Sequence, residues 1–150
     1  MLSSKSNSTQ RIEALGLVLV IFFAVCLRFY KLDAGYSGLG IYSATSLNVG
    51  TSLHNWFFPS IFIDGSIIAD KPPLFFWIQG LFLKILGPTN LALRLPAALC
   101  GTSCVLLLYL ILKRTYGVLT AFIGGLLLAV APIDVNFSRG VFLEPLTSAL

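Results

Sequence analysis

Two uncharged stretches, Leu95–Leu112 and Tyr116–Ile133, limit what this chain can fold into more than anything else in it. Each is 18 residues long, and only Lys113-Arg114-Thr115 lies between them. A helix rises about 1.5 Å per residue and a bilayer's hydrocarbon core is about 30 Å thick, so each stretch is close to a full span. A short basic turn between two such helices predicts an antiparallel hairpin across a membrane. The composition agrees. Hydrophobic residues make up 57% of the 150, and charged residues only 11%, against about 25% in soluble domains. The expected fold class is an all-α integral membrane protein. It has three transmembrane helices plus the start of a fourth, with interfacial helices in a long first outer loop.

The rest of the chain is placed around that hairpin. Residues 1–11 are polar and Ser/Asn-rich, and read as a disordered cytoplasmic tail. A first span is expected at about 12–31: Ala14–Leu27 is uncharged, and the run lengthens if Arg28 snorkels to the interface. Residues 32–92 form the outer loop. Within it, Tyr42 to Asn55 reads as a helix lying on the membrane beside Trp56. Pro72-Pro73 opens another helix, since a first-turn proline forfeits no intrahelical bond. Its uncharged run, Leu74–Leu83, is too short to cross, so it reads as interfacial or half-inserted. Spans at about 93–112 and 116–133 follow, then a loop over 134–139 and a fourth span beginning at 141. Breaking off ten residues into that apolar segment, the sequence leads us to expect the remainder of a longer chain.

The net charge of +4 is scattered, mostly at the ends of apolar runs. It sets topology rather than a nucleic-acid groove. With Lys5, Arg11, Lys113 and Arg114 inside, the amino terminus is cytoplasmic and residues 32–92 lie outside a multi-pass plasma-membrane protein. Arg28, Lys84 and Arg94 read as interfacial anchors. Cys26, Cys100 and Cys104 all lie in apolar runs with no CxxC, and read as small buried hydrophobes.

Chemistry concentrates at Asp70-Lys71-Pro72-Pro73, a carboxylate and an ammonium directly before an apolar helix. An ammonium at a helix start suits a phosphate; an anchoring lysine is the plain alternative. Asp70 is suited to holding Lys71, binding a divalent cation or capping the helix. Of the six acids, all but Glu13 fall on the outer side in this topology. Glu144, beside Pro145, is either a helix-start acid or a group facing the same cavity as Asp70.

The order of motifs then becomes informative: Arg28-Phe29-Tyr30-Lys31-Leu32, Tyr42, Asp70-Lys71-Pro72-Pro73-Leu74 with Trp77, and Arg94-Leu95-Pro96-Ala97 with Gly101. Tyr116-Gly117, Ala131-Pro132, Ser138-Arg139 and Glu144-Pro145 complete it. This resembles the amino-terminal part of the bacterial dolichyl-phosphate-mannose-protein mannosyltransferase-like family. That family includes the aminoarabinose transferases and has the GT-C membrane fold, so residues 12–150 would be the start of such a domain. The resemblance implies a glycosyltransferase acting at the outer face. Its partners would be a polyprenyl-phosphate-linked sugar and membrane lipids. In that reading Lys71 meets the lipid phosphate, Asp70 holds a divalent cation, and Glu144 lines the active site. Tyr42 and Arg139 join Lys71 as substrate-binding residues. Relatives carry an acid just before the tyrosine aligned with Tyr42, whereas this chain has Gly38-Leu39-Gly40-Ile41. Asp33 is the nearest substitute, and with Glu144 forms the expected catalytic pair. Two alternatives come from outside catalysis: a lipid-phosphate-binding or polysaccharide-assembly subunit, and a small transporter component.

Overall fold

A computed structural model of the chain describes residues 2–34, 45–46, 48–49, 61–63, 66–68 and 73–141. The helices are α1 (Leu2–Phe29), α2 (Pro73–Leu86), α3 (Asn90–Tyr116), α4 (Val118–Val130) and α5 (Pro132–Arg139). Between α1 and α2, the strands β1 (Ile61–Ile63) and β2 (Ser66–Ile68) pair antiparallel, Ile61 opposite Ile68. The fold is helical, as the expected class has it, with one small strand pair added between α1 and α2. Three corrections concern boundaries. α1 begins at Leu2, so the polar start is helical rather than disordered: it holds no Gly or Pro, and adding residues to an existing helix is far easier than nucleating one. α1 ends at Phe29, where Lys31 takes a left-handed conformation at φ 48° and closes the helix. Finally, residues 134–139 are helical instead of a loop, because the helix breaks at Ala131-Pro132 and restarts with a bend of 56°.

Three helices meet along stripes of four-residue spacing. α1 contributes Val20, Ala24 and Arg28; α3 contributes Gly101, Val105 and Tyr109; α4 contributes Ala121, Gly125 and Ala129. Residues four apart share a helix face, and these faces are mostly small. At Gly125 an added Cβ would lie 3.1 Å from Val20 Cγ1 and 3.3 Å from Tyr109 Cδ2, so close approach of α4 depends on this glycine. The large apolar residues point the other way. Leu15, Phe22 and Leu119 are 62%, 59% and 74% exposed. A soluble bundle buries its large residues; small contact faces with bulky outer faces are the packing used between helices in lipid.

Among the described residues α3 alone is long and apolar enough to cross a membrane, at 27 residues. α4 and α5 make a second only when counted as one bent span. α2 starts at Pro73, where a helix was expected, and is packed against α3. Its Phe75 and Phe76 are buried in a cluster that includes Val49 and Cys100. The α2–α3 turn is short: Gly87 sits at φ 76°, and the Thr89 side chain accepts from Ala92 N–H at 3.2 Å. At the opposite end of α3, Lys113 pairs with Glu13 at 2.9 Å, tying the basic turn to α1.

Candidate active site

Pro132 explains how one end of the bundle is built. Lacking an N–H, it cannot bond the carbonyl four residues earlier, that of Leu128. The break leaves Leu128 O with a bond from Ala131 N–H, three residues on, at 3.3 Å in place of the usual four-residue one. Arg28 adds side-chain donors at this end. Its Nη1 donates to Ala129 O at 3.1 Å and Ala24 O at 3.3 Å, and its Nη2 donates to Leu128 O at 3.4 Å. The same Nη2 forms an ion pair with Asp134 in the first turn of α5. The Arg28 side chain is completely buried, so it is no interfacial anchor. Snorkelling is unnecessary when carbonyls and a carboxylate meet the charge inside the bundle.

Gly101 and Ser138 complete this cluster. Ser138 lies four residues beyond Asp134 on α5 and is fully buried. A Cβ on Gly101 would sit 2.8 Å from Ser138 Cβ and 3.2 Å from Arg28 Nε, so only glycine lets α3 pass here. Arg28 Nε and Ser138 Oγ have no hydrogen-bond partner among the described residues.

Two more arginines bind backbone at the same end. Arg94 Nη1 donates to Leu32 O at 3.1 Å and Ala34 O at 2.8 Å, fastening the exit of α1 to the start of α3. This role replaces the expected anchoring one. Arg139 Nη1 donates to Leu27 O at 3.0 Å. Beside them, Gln79 of α2 donates to Leu93 O and accepts from Ser46 Oγ.

Of the expected site residues, Asp33 and Arg139 are described. Both lie at the carboxyl-terminal end of α1. Asp33 is exposed, with no ion pair among the described residues. Arg139 is committed in part to the Leu27 carbonyl, which leaves the rest of its guanidinium fork for other acceptors. Tyr42, Asp70, Lys71 and Glu144 lie outside the described residues. Among the described residues no three of His, Cys, Asp and Glu gather into a metal site, and Asp134 is occupied by Arg28. The sequence reading missed the cluster of Arg28, Asp134, Gly101 and Ser138. Its signal was an arginine inside an apolar run together with an aspartate directly after Ala-Pro-Ile.

A bundle with outward-facing bulk, a broken helix and a ring of backbone-bound arginines defines a membrane-associated helical scaffold. Comparison with known proteins gives the class: the family model of "Dolichyl-phosphate-mannose-protein mannosyltransferase" matches residues 70–147, and the chain belongs to that family. Two relatives come from Bacillus subtilis. "Putative mannosyltransferase YycA" is 36% identical over 87% of this chain and 19% of its own length. "Putative mannosyltransferase YkcB" is 33% identical over 82% of this chain and 17% of its own. The chain thus spans about a fifth of the length of these relatives. No solved structure matches it.

Proposed function

We propose that the chain is part of a membrane glycosyltransferase. It would transfer a sugar from a polyprenyl-phosphate donor to a lipid, glycan or protein acceptor at the outer face. The observation that carries this is the extent of the family match, which opens on Asp70-Lys71 and runs past Glu144. The structure supports it in a second way. In the topology with Lys113-Arg114 inside, the end holding Arg28, Arg94 and Arg139 faces outward, and Asp33 lies with it. α1, α3 and the bent α4–α5 pair would be the three spans, with α2 half-inserted beside α3.

In this chemistry the lipid phosphate departs from the sugar's anomeric carbon while an acceptor hydroxyl or amine attacks it. Lys71 neutralises the charge that grows on the departing phosphate. Glu144 or Asp33 receives the acceptor's proton. Arg139 and Tyr42 orient the donor and acceptor, and Asp70 would hold a divalent cation that adds charge at the phosphate. The test is transfer of labelled sugar from a polyprenyl-phosphate donor by the protein at the full length of its relatives. Lys71→Ala should lower the rate by about 10²-fold or more, the scale of losing one electrostatic donor. Transfer at the wild-type rate would remove Lys71 from the mechanism.

One observation favours a second reading, a lipid-phosphate-binding subunit without catalysis: Gly38-Leu39-Gly40-Ile41 stands where relatives of the resembled family carry an acid. Binding of polyprenyl phosphate with no sugar transfer, on one purified sample, would select it.

A further inference from the structure

Three contacts hold α5, and each is directional. In its first turn Asp134 pairs with Arg28, whose Nη1 also reaches back along α1 to Ala24 O at 3.3 Å. In its last turn Arg139 Nη1 donates at 3.0 Å to Leu27 O, one residue before Arg28. Leu27 lies in the last turn of α1, where carbonyls run out of helical donors and a cation is favoured. Between these ties the fully buried Ser138 presses on α3, where a Cβ at Gly101 would come within 2.8 Å of Ser138 Cβ. Eight residues span only about 12 Å of helix, so α5 cannot tilt, slide or turn without losing one of the three.

Stability alone does not account for an ion pair in this place. A buried pair gains little over well-packed apolar residues of the same size, because desolvation offsets most of the attraction. What it adds is one fixed geometry. The group whose geometry depends on it is Arg139, the residue directly after Ser138. Among the described residues its guanidinium is bonded through Nη1 alone, to Leu27 O. The half-buried side chain keeps Nη2 and Nε for another acceptor. A planar fork of this kind matches a phosphate only when it is correctly aimed.

We propose that Arg28 and Asp134 are positioning residues: through α5 they aim the free edge of the Arg139 guanidinium at the phosphate of the polyprenyl-phosphate donor. This rests on the reading of Arg139 as a donor-binding residue. Arg28 and Asp134 do not themselves touch the donor, since Arg28 is fully buried and Asp134 is engaged with it. Gly101 and Ser138 belong to the same device, as the seat that keeps α5 at its height on α3.

The test compares affinities for polyprenyl phosphate and for uncharged polyprenol, measured in nanodiscs on the protein at the full length of its relatives. The ratio of the two reports the phosphate contact. Arg139→Gln should lower that ratio by roughly tenfold or more, the scale of a charge-assisted hydrogen bond. Asp134→Ala loosens α5 from α1, and Gly101→Ala lifts it from α3. Each should lower the ratio on the order of threefold, and neither should add to the loss in Arg139→Gln. Asp134→Asn should keep most of the ratio, and Ser138→Gly should restore it in the Gly101→Ala protein. A merely structural role would reduce the number of binding-competent molecules and leave the ratio unchanged. A wild-type ratio in either folded variant, Asp134→Ala or Gly101→Ala, would overturn the inference, as would one in Arg139→Gln. Sugar transfer by the same wild-type sample separates this claim from the proposed reaction. A phosphate preference without transfer would remove the reaction and leave the aiming of Arg139 standing. No phosphate preference in the wild type would overturn the aiming, whether or not sugar is transferred.

Discussion

Replacing Asp134 tests the central reading of the bundle, that a buried ion pair holds the α4–α5 elbow. Arg28 is fully buried and Asp134 is 23% exposed. Removing one partner of a buried pair typically costs about 3–5 kcal/mol, because the other charge is stranded. Here the carbonyls of Ala24, Leu128 and Ala129 remain bound to Arg28, and the partial opening at Asp134 admits water. The cost of Asp134→Ala therefore falls at the low end, about 3 kcal/mol. For a chain of this size each kcal/mol moves the midpoint by about 2–4 °C, giving a drop of roughly 6–12 °C. Asp134→Asn keeps an acceptor and exchanges a charge-assisted hydrogen bond for a neutral one, so it should cost only about 1 kcal/mol. The pair Arg28→Met with Asp134→Leu removes both charges together but also the donors to Ala24, Leu128 and Ala129 O, so it should recover only part of the loss. Thermal unfolding in detergent, read by circular dichroism, measures all three. If Asp134→Ala melts within about a degree of the wild type, Arg28 is not held by this carboxylate and the account of the elbow is wrong.

Three further substitutions probe the same architecture. Gly101→Ala drives a methyl into Ser138 and should cost about 1–3 kcal/mol by overpacking; combining it with Ser138→Gly should restore the midpoint, which a cause other than contact would not allow. Gln79→Leu removes the side-chain donor to Leu93 O and the acceptor of Ser46 Oγ at a fully buried position, and should cost about 1 kcal/mol in the same melt. Pro132→Ala restores an N–H that competes with Arg28 for Leu128 O, so the 56° bend should shrink. Distances between spin labels at Ile123 and Asn136 would register the straightening, and an unchanged distance would show that Arg28, not Pro132, sets the bend.

The hairpin of α3 and α4 was legible in the sequence because length and charge alone define it: two 18-residue apolar runs and a basic turn admit few other folds. The start of α2 was legible for a similarly local reason, the tolerance of proline in a first helical turn. The strand pair was missed although its signal is local too. Ile-Phe-Ile and Ser-Ile-Ile flank Asp64-Gly65, a dipeptide that favours a two-residue hairpin. At the candidate site, Asp33 and Arg139 follow from the family resemblance rather than from a local pattern, and the structure places both at the end of α1.

Arg28 was misread for a reason that sequence order cannot repair. Taken with its neighbours, it is a cation at the end of an apolar run, and such cations usually reach for the interface. Its partners beyond α1 are produced 100 or more residues later, where a proline interrupts the helical hydrogen bonding of α4 and an aspartate follows in the next turn. The halves depend on each other: Pro132 without Arg28 leaves the Ala129 carbonyl without its side-chain donor and Leu128 O with the Ala131 N–H alone, and Arg28 without Pro132 leaves a buried charge with fewer acceptors. The two features therefore have to be kept or lost together. Pro132→Ala and Arg28→Met should each destabilise the bundle, yet their combination should cost less than the sum, with a coupling energy of about 0.5–3 kcal/mol. Strict additivity in that double-mutant cycle would mean that the break and the arginine are independent. The elbow would then be a property of α4 and α5 alone rather than of three helices locked around one guanidinium.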